Sequence, residues 1–261
     1  MLTNLSRRSF ITLFAVCVSM AASAGIVYAN HSWGSYHWAR TVNPFTLKLG
    51  DNVSGAWDPY LTTASTDWSL STVLDTTIVA GQGGKSCRAT SGRVEICNKK
   101  YGNNGWLGIA QIWASGNHIT QGVVKMNDTY FNTAMYNTPA WRNLVLCQEV
   151  GHTFGLDHQD ENFSNLPLGT CMDYSNDPVP NQHPNVHDYE QLELIYAHLD
   201  STTTVKSGVP GSGAADVDVS DRKEWGKVLK QDGKGKPSLH VRDLGSGEKV
   251  FTFVVWADGE E

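Results

Sequence analysis

Two hydrophobic periods alternate along the chain. Phe45-Thr46-Leu47-Lys48-Leu49 puts apolar side chains at every second position and is closed by Gly50-Asp51, which predicts a strand over 44–49. Asp58-Pro59 then offers a helix start with proline in the first turn, and Trp57, Leu61, Ala64 and Trp68 follow at spacings of four, three and four. That stripe predicts a helix over 59–71 with one buried face. Strands are predicted over 76–80, 94–97, 108–114 and 121–126, separated by glycine- and asparagine-rich turns such as 101–105. Thr138-Pro139 opens a second helix, with the threonine as N-cap, that runs on through residues 147–159. A last helix is predicted over 186–198, with Tyr189, Leu192, Ile195 and Tyr196 on its buried side. Residues 201–220 lose all periodicity and read as a linker. Beyond them, 238–244 and 249–256 flank Gly245-Ser246-Gly247 as one hairpin, which is not stable alone and so either packs on the main domain or is loosely ordered. The expectation is an α+β domain over 30–200, a linker over 201–220 and a C-terminal tail over 221–261.

Residues 1–29 stand outside this pattern. Arg7 and Arg8 precede an apolar run from Phe10 to Met20, and Ala22-Ser23-Ala24 and Val27-Tyr28-Ala29 both offer small-residue cleavage sites. The run is too short for a comfortable membrane span and reads as a removed export signal. Ser6-Arg7-Arg8-Ser9-Phe10-Ile11 also resembles the bacterial twin-arginine signal. The expected location is therefore secreted or periplasmic, in a bacterium, with no membrane span after processing. The formal charge is −6, becoming −8 once the two signal arginines leave. Without a lysine- and arginine-rich block, such a chain is a poor nucleic-acid binder. Loss of Cys17 leaves Cys87, Cys97, Cys147 and Cys171, and an even number in an exported chain predicts two disulfides, buried free thiols being the other reading.

The candidate chemistry sits in Cys147-Gln148-Glu149-Val150-Gly151-His152-Thr153-Phe154-Gly155-Leu156-Asp157-His158. Gln148 and His152 are four apart, so they share a helical face and can address one metal ion. Glu149 adjoins them, placed to serve as a general base. Gly155 tolerates the positive φ of an abrupt turn that would bring His158 round as a further ligand. With Gln148 as the first residue of the set, the motif resembles that of the metzincin metallopeptidases, whose helix carries H-E-x-x-H-x-x-G-x-x-H, and it matches every fixed position but that first one.

The resemblance covers about residues 38–198, is closest to the matrixin branch and says nothing of the tail. It implies zinc held by Gln148, His152 and His158, a methionine turn around Met172, Tyr174 as a fifth ligand or stabiliser of the reacting carbonyl, and a substrate strand that adds to an antiparallel edge strand at 121–127. It also implies that Cys147, before Gln148, is bonded to Cys171, before Met172, leaving Cys87 with Cys97; a thiol standing in for the missing histidine is the rival reading. The matrixin pro-segment with its blocking cysteine has no room here, so an active protein needs some other restraint.

Glutamine can present its amide oxygen to zinc but is a weaker donor than imidazole. Three readings follow: a zinc endopeptidase of peptide or protein substrates with reduced metal affinity; a site completed by another side chain, Tyr174 or more remotely His31 or His37; and a non-catalytic module that binds peptides in the old cleft. Asp157, Asp160, Glu161, Asp173 and Asp177 could hold calcium or could form a solvated acidic loop. His118, His183, His187, His198 and His240 have no ligand spacing with the motif and read as surface or capping residues.

Overall fold

The computed structural model describes residues 30–205 and 221–257; the signal segment, residues 206–220 of the linker and residues 258–261 lie outside the described residues. The chain is a mixed α+β fold built on one sheet. In chain order its strands are β1 (His37–Trp38), β2 (Phe45–Asn52), β3 (Leu74–Ala80), β4 (Val94–Lys99), β5 (Trp106–Ser115), β6 (His118–Asn127), β7 (Lys227–Gln231), β8 (Pro237–Gly245) and β9 (Glu248–Trp256). The helices are α1 (Asp58–Trp68), the single turn α2 (Asp128–Phe131), α3 (Pro139–His152) and α4 (Val186–Ile195). The sheet runs β3-β2-β4-β6-β5-β9-β8-β7, with β1 beside the first residues of β6. Strands β3, β2, β4 and β6 are mutually parallel, and β5 starts the antiparallel half.

The local signals explain the helices. Trp57, Leu61, Ala64 and Trp68 are all buried, and the Trp68 indole donates to the Cys147 carbonyl of α3 at 3.2 Å, tying α1 to α3. Thr138 caps α3 through its hydroxyl, which accepts from Trp141 N. Asn185 and Asp188 close a capping box on α4. The orphan carbonyls at the end of α3 are taken by the N-terminal segment: the Trp33 indole donates to His152 O at 3.0 Å and the Trp38 indole to Thr153 O at 2.8 Å. The four cysteines pair at disulfide distance, Cys87 with Cys97 and Cys147 with Cys171. The second pair closes a loop of 24 residues. Replacing both of its cysteines with alanine is expected to lower stability by about 3 to 4 kcal/mol, measured by chemical denaturation beside the parent chain.

One expectation changes and one alternative is decided. The strand at 121–127 is not an edge: it belongs to β6, which is flanked by parallel β4 on one side and antiparallel β5 on the other. The antiparallel strand beyond it is β5, and its outer side is paired along its whole length with β9, from Trp106–Trp256 to Ser115–Glu248. The tail hairpin forms and takes the first of its two alternatives, packing on the main domain. Together with β7 it forms three antiparallel strands that extend the main sheet.

The reason lies in the alternation of β9. Phe251, Phe253 and Val255 point into the main core with α1 and α3, whereas Val250, Val254 and Trp256 join a second apolar cluster with Trp106, Ile109, Trp113 and Trp225. A strand with apolar residues on both faces must be covered on both, and a place beside β5 sets one face against the main core and the other in the second cluster.

Candidate active site

Every residue of α3 from Leu144 to His152 is buried. A helix buried all round is normally apolar all round, so Gln148, Glu149 and His152 in its fully buried stretch call for a specific reason. Their surroundings supply one. The α3 helix ends at His152, Gly155 takes φ +102°, and a Cβ at Gly155 would lie 2.6 Å from Tyr36 O, so a side chain is excluded there. The turn carries His158 back until its Nε2 stands 3.0 Å from His152 Nε2.

Both imidazoles are oriented from behind. His152 Nδ1 donates to the Leu156 carbonyl at 2.8 Å, and His158 Nδ1 donates to the Glu161 carboxylate at 3.1 Å. A carbonyl and a carboxylate can only accept, so in the neutral form of each ring Nε2 carries the lone pair and faces the other ring. Burial pushes His152 well below its ordinary pKa, with His158 adding to that push, and so favours neutral imidazole there. Two converging nitrogen lone pairs suit a shared cation: tetrahedral zinc holds two nitrogens about 3.3 Å apart.

Gln148 is set the same way. Its amide nitrogen donates to the Cys171 carbonyl at 2.7 Å, which fixes the amide oxygen as the free end, and that buried oxygen has no hydrogen-bond partner among the described residues. Gln148 Oε1 and the two converging Nε2 atoms would offer zinc one oxygen and two nitrogens, donor types that the metal accepts. Glu149 is buried with no partner in hydrogen-bonding geometry for either carboxylate oxygen, while the backbone amides of Ala110 and Val255 face it. Desolvation holds its carboxyl well above the ordinary carboxylate range. Its room comes from Gly108 on β5, where a Cβ would lie 2.9 Å from Glu149 Oε1 and 2.6 Å from Val145 Cγ1.

Met172 packs beneath α3 at Gly151. A Cβ on Gly151 would meet Met172 Sδ at 2.6 Å and the Trp68 ring at 2.7 Å. Gly151→Ala is therefore expected to cost about 1 to 3 kcal/mol by overpacking, read as a lowered melting temperature. Tyr174 stacks beside His158, with ring centroids 4.2 Å apart, but its hydroxyl donates to the Val254 carbonyl of β9 at 3.1 Å. His31 and His37 do not complete the set. His31 Nδ1 bonds the Asp157 carbonyl at 2.9 Å and its ring stacks on His187, whereas His37 belongs to a cluster with His118, His198 and Asp200.

The acidic residues are engaged locally. Asp173 accepts from Leu168 N and Asn181 Nδ2, Asp160 from Asn162 N and Asn165 Nδ2, and Asp177 from Val179 N. Asp157 binds Lys230, and Glu161 orients His158. Asp157, His158 and Glu161 also bring ligand atoms within 4.8 Å of one another, so the loop keeps a group that could hold a cation.

Sequence reasoning missed the residues that close the site. Phe253 lies on His152, ring centroids 4.0 Å apart and 12° from parallel, and also contacts Trp33 at 5.6 Å. Lys230 on β7 reaches Asp157. The turn between β7 and β8 docks on the loop after His158: Gly233 N donates to Glu161 O at 3.0 Å, and Lys234 stands 3.9 Å over the Phe163 ring. The signal for Phe253 was present in the alternation Val250-Phe251-Thr252-Phe253-Val254, but nothing local says which surface that face covers.

No protein-family model matches the chain, and no curated protein matches it at a significant level.

Proposed function

We propose that this chain is an exported zinc-dependent endopeptidase of metzincin type whose cleft is closed by its own C-terminal hairpin. The observation that carries the reading is the convergence of two rear-oriented imidazoles, His152 and His158, at the end of a buried helix that also carries Glu149 and the unpaired amide oxygen of Gln148. Gln148, His152 and His158 would hold the metal. When bound, zinc polarises a carbonyl and acidifies water.

The remaining work falls to side chains and backbone of the chain itself. Glu149 would take a proton from the attacking water and deliver it to the leaving amine. The outer edge of β5, now paired with β9, would bind an extended peptide as an added antiparallel strand. Phe253 and Val255 of β9 occupy the ground over His152 and Glu149 that a substrate would need, so the hairpin stands where a pro-segment would act in a relative. Tyr174 would be released from Val254 on opening and become available to the reacting carbonyl. The paired cysteines accord with export to an oxidising compartment, and no helix among the described residues is long and apolar enough to cross a membrane.

A second reading, a peptide-binding module without turnover, is favoured by one observation: Gln148, a weak zinc donor, is as fully buried as the rest of the set. Metal removal separates the two. Incubating the purified chain with a chelator is expected to abolish cleavage of a mixed peptide library, and added zinc to restore it. Folded, zinc-loaded protein that cuts nothing, even after the hairpin has been loosened, would leave the binding module.

A further inference from the structure

The geometry points to a second zinc site, structural in kind, formed by His37, His118, His198 and Asp200. These residues come from three separate parts of the chain. His37 lies on β1 and is paired in register with His118 at the start of β6, while His198 and Asp200 follow the end of α4. Their ligand atoms converge. Asp200 Oδ1 stands 3.4 Å from His37 Nε2, 3.2 Å from His118 Nε2 and 3.7 Å from His198 Nε2, and His198 Nε2 stands 3.2 Å from His37 Nε2. Four ligands placed tetrahedrally around zinc are about 3.3 Å apart, and these separations lie near that value; the ligand atoms of His37, His118 and Asp200 are all within 4.8 Å of one another, with His198 beside His37 and Asp200 as the fourth.

The groups behind the ligands are set for the same purpose. His37 Nδ1 donates to the Ser35 carbonyl at 2.8 Å, which turns Nε2 toward the cluster. There Nε2 faces a carboxylate oxygen and a second imidazole nitrogen, an arrangement that a metal cation, or a proton on His37, would satisfy. Asp200 is held by Arg40, whose guanidinium and backbone amide both donate to Oδ2, at 2.8 and 3.2 Å, leaving Oδ1 for the cluster. Such orientation of ligands by outer partners is a usual companion of metal binding. The His37 and Asp200 side chains are nearly buried, whereas His118 and His198 are 39% and 53% exposed and give an ion its way in. With His198 drawn in, three imidazoles and a carboxylate would fill all four positions, as a structural site does.

The site also has a consequence for the chain path. It would pin β1, the β5–β6 turn and the residues after α4 to one another at Asp200, just before the chain departs for the hairpin, where Thr204 N still bonds Ala39 O at 2.9 Å.

The test uses the full exported chain with zinc or cobalt as the only added ligand. His118→Ala and His198→Ala remove exposed side chains and leave the core untouched; His183→Ala, another exposed histidine, is the control. The expected result is that each of the first two variants retains one equivalent of zinc less than the parent after passage over a weak chelating resin, with affinity for that equivalent lowered by more than about a hundredfold. The control is expected to hold as much zinc as the parent. Zinc is further expected to raise the melting temperature of the parent more than that of the His118→Ala, His198→Ala double variant. Cobalt in the parent should show the visible absorption of a tetrahedral ion, diminished in the double variant. Equal zinc content and equal melting shifts in parent and double variant would overturn the proposal and leave a hydrogen-bonded histidine–aspartate cluster only. The outcome is separable from the peptidase reading: an equivalent lost with His198→Ala from a chain that cleaves nothing supports this site alone, and zinc lost only with His152→Ala overturns it.

Discussion

Glu149→Gln is expected to lower peptide cleavage by about 10²- to 10⁴-fold while leaving the zinc content of the protein unchanged. The substitution keeps the shape of the side chain, which matters because Glu149 sits fully buried against Gly108 with Val145 beside it. It removes only the ability to accept and return a proton. Glu149 makes no ion pair, and only the backbone amides of Ala110 and Val255 face it, so the isosteric amide changes stability little. A melt near the parent's, together with lost turnover, is the combined result that a proton-transfer role predicts. Unchanged kcat/KM would remove Glu149 from the chemistry.

Phe253→Ala is expected to raise cleavage on the order of a hundredfold. Truncating a buried phenylalanine costs about 3 to 5 kcal/mol, and here that cost falls mainly on the docking of β9 over the site. Each 1.4 kcal/mol of lost docking energy is a tenfold gain in the open population. The ring stacks on His152 and packs on Trp33, so its loss weakens the cover where it lies on the metal-binding face. Hydrogen exchange of the β9 amides beside the peptide assay checks the account: faster exchange with unchanged cleavage would mean that the hairpin does not restrain activity.

Much of this was legible in the sequence because the deciding signals are local. The α1 stripe, the Thr138-Pro139 start of α3, the glycine that ends its turn and the hairpin around Gly245-Ser246-Gly247 each depend on a few neighbouring residues, and each appears where it was expected. The same holds for the convergence of His152 and His158, which the helix period and the freedom of Gly155 set between them. What escaped is long-range. Strand β7 reads Lys-Val-Leu-Lys-Gln and is exposed throughout, so it carries no alternation by which to see it. That β9 pairs with β5, setting Phe253 opposite Ala110, and that Phe253 lands on His152, depends on contacts between parts of the chain far apart in sequence. Spacing likewise hid the grouping of His37, His118 and His198, which come together only because β1 lies beside β6 and α4 ends near both.

The most direct test of the central claim is a zinc titration of the His118→Ala, His198→Ala double variant, in which the second site is disabled and any remaining equivalent reports on the cleft. The account predicts one equivalent of zinc there, lost on adding His152→Ala and bound at least about tenfold more tightly on adding Gln148→His, since imidazole is the better donor. Zinc binding that is absent, or that neither substitution changes, would contradict the assignment of Gln148, His152 and His158 as a metal site.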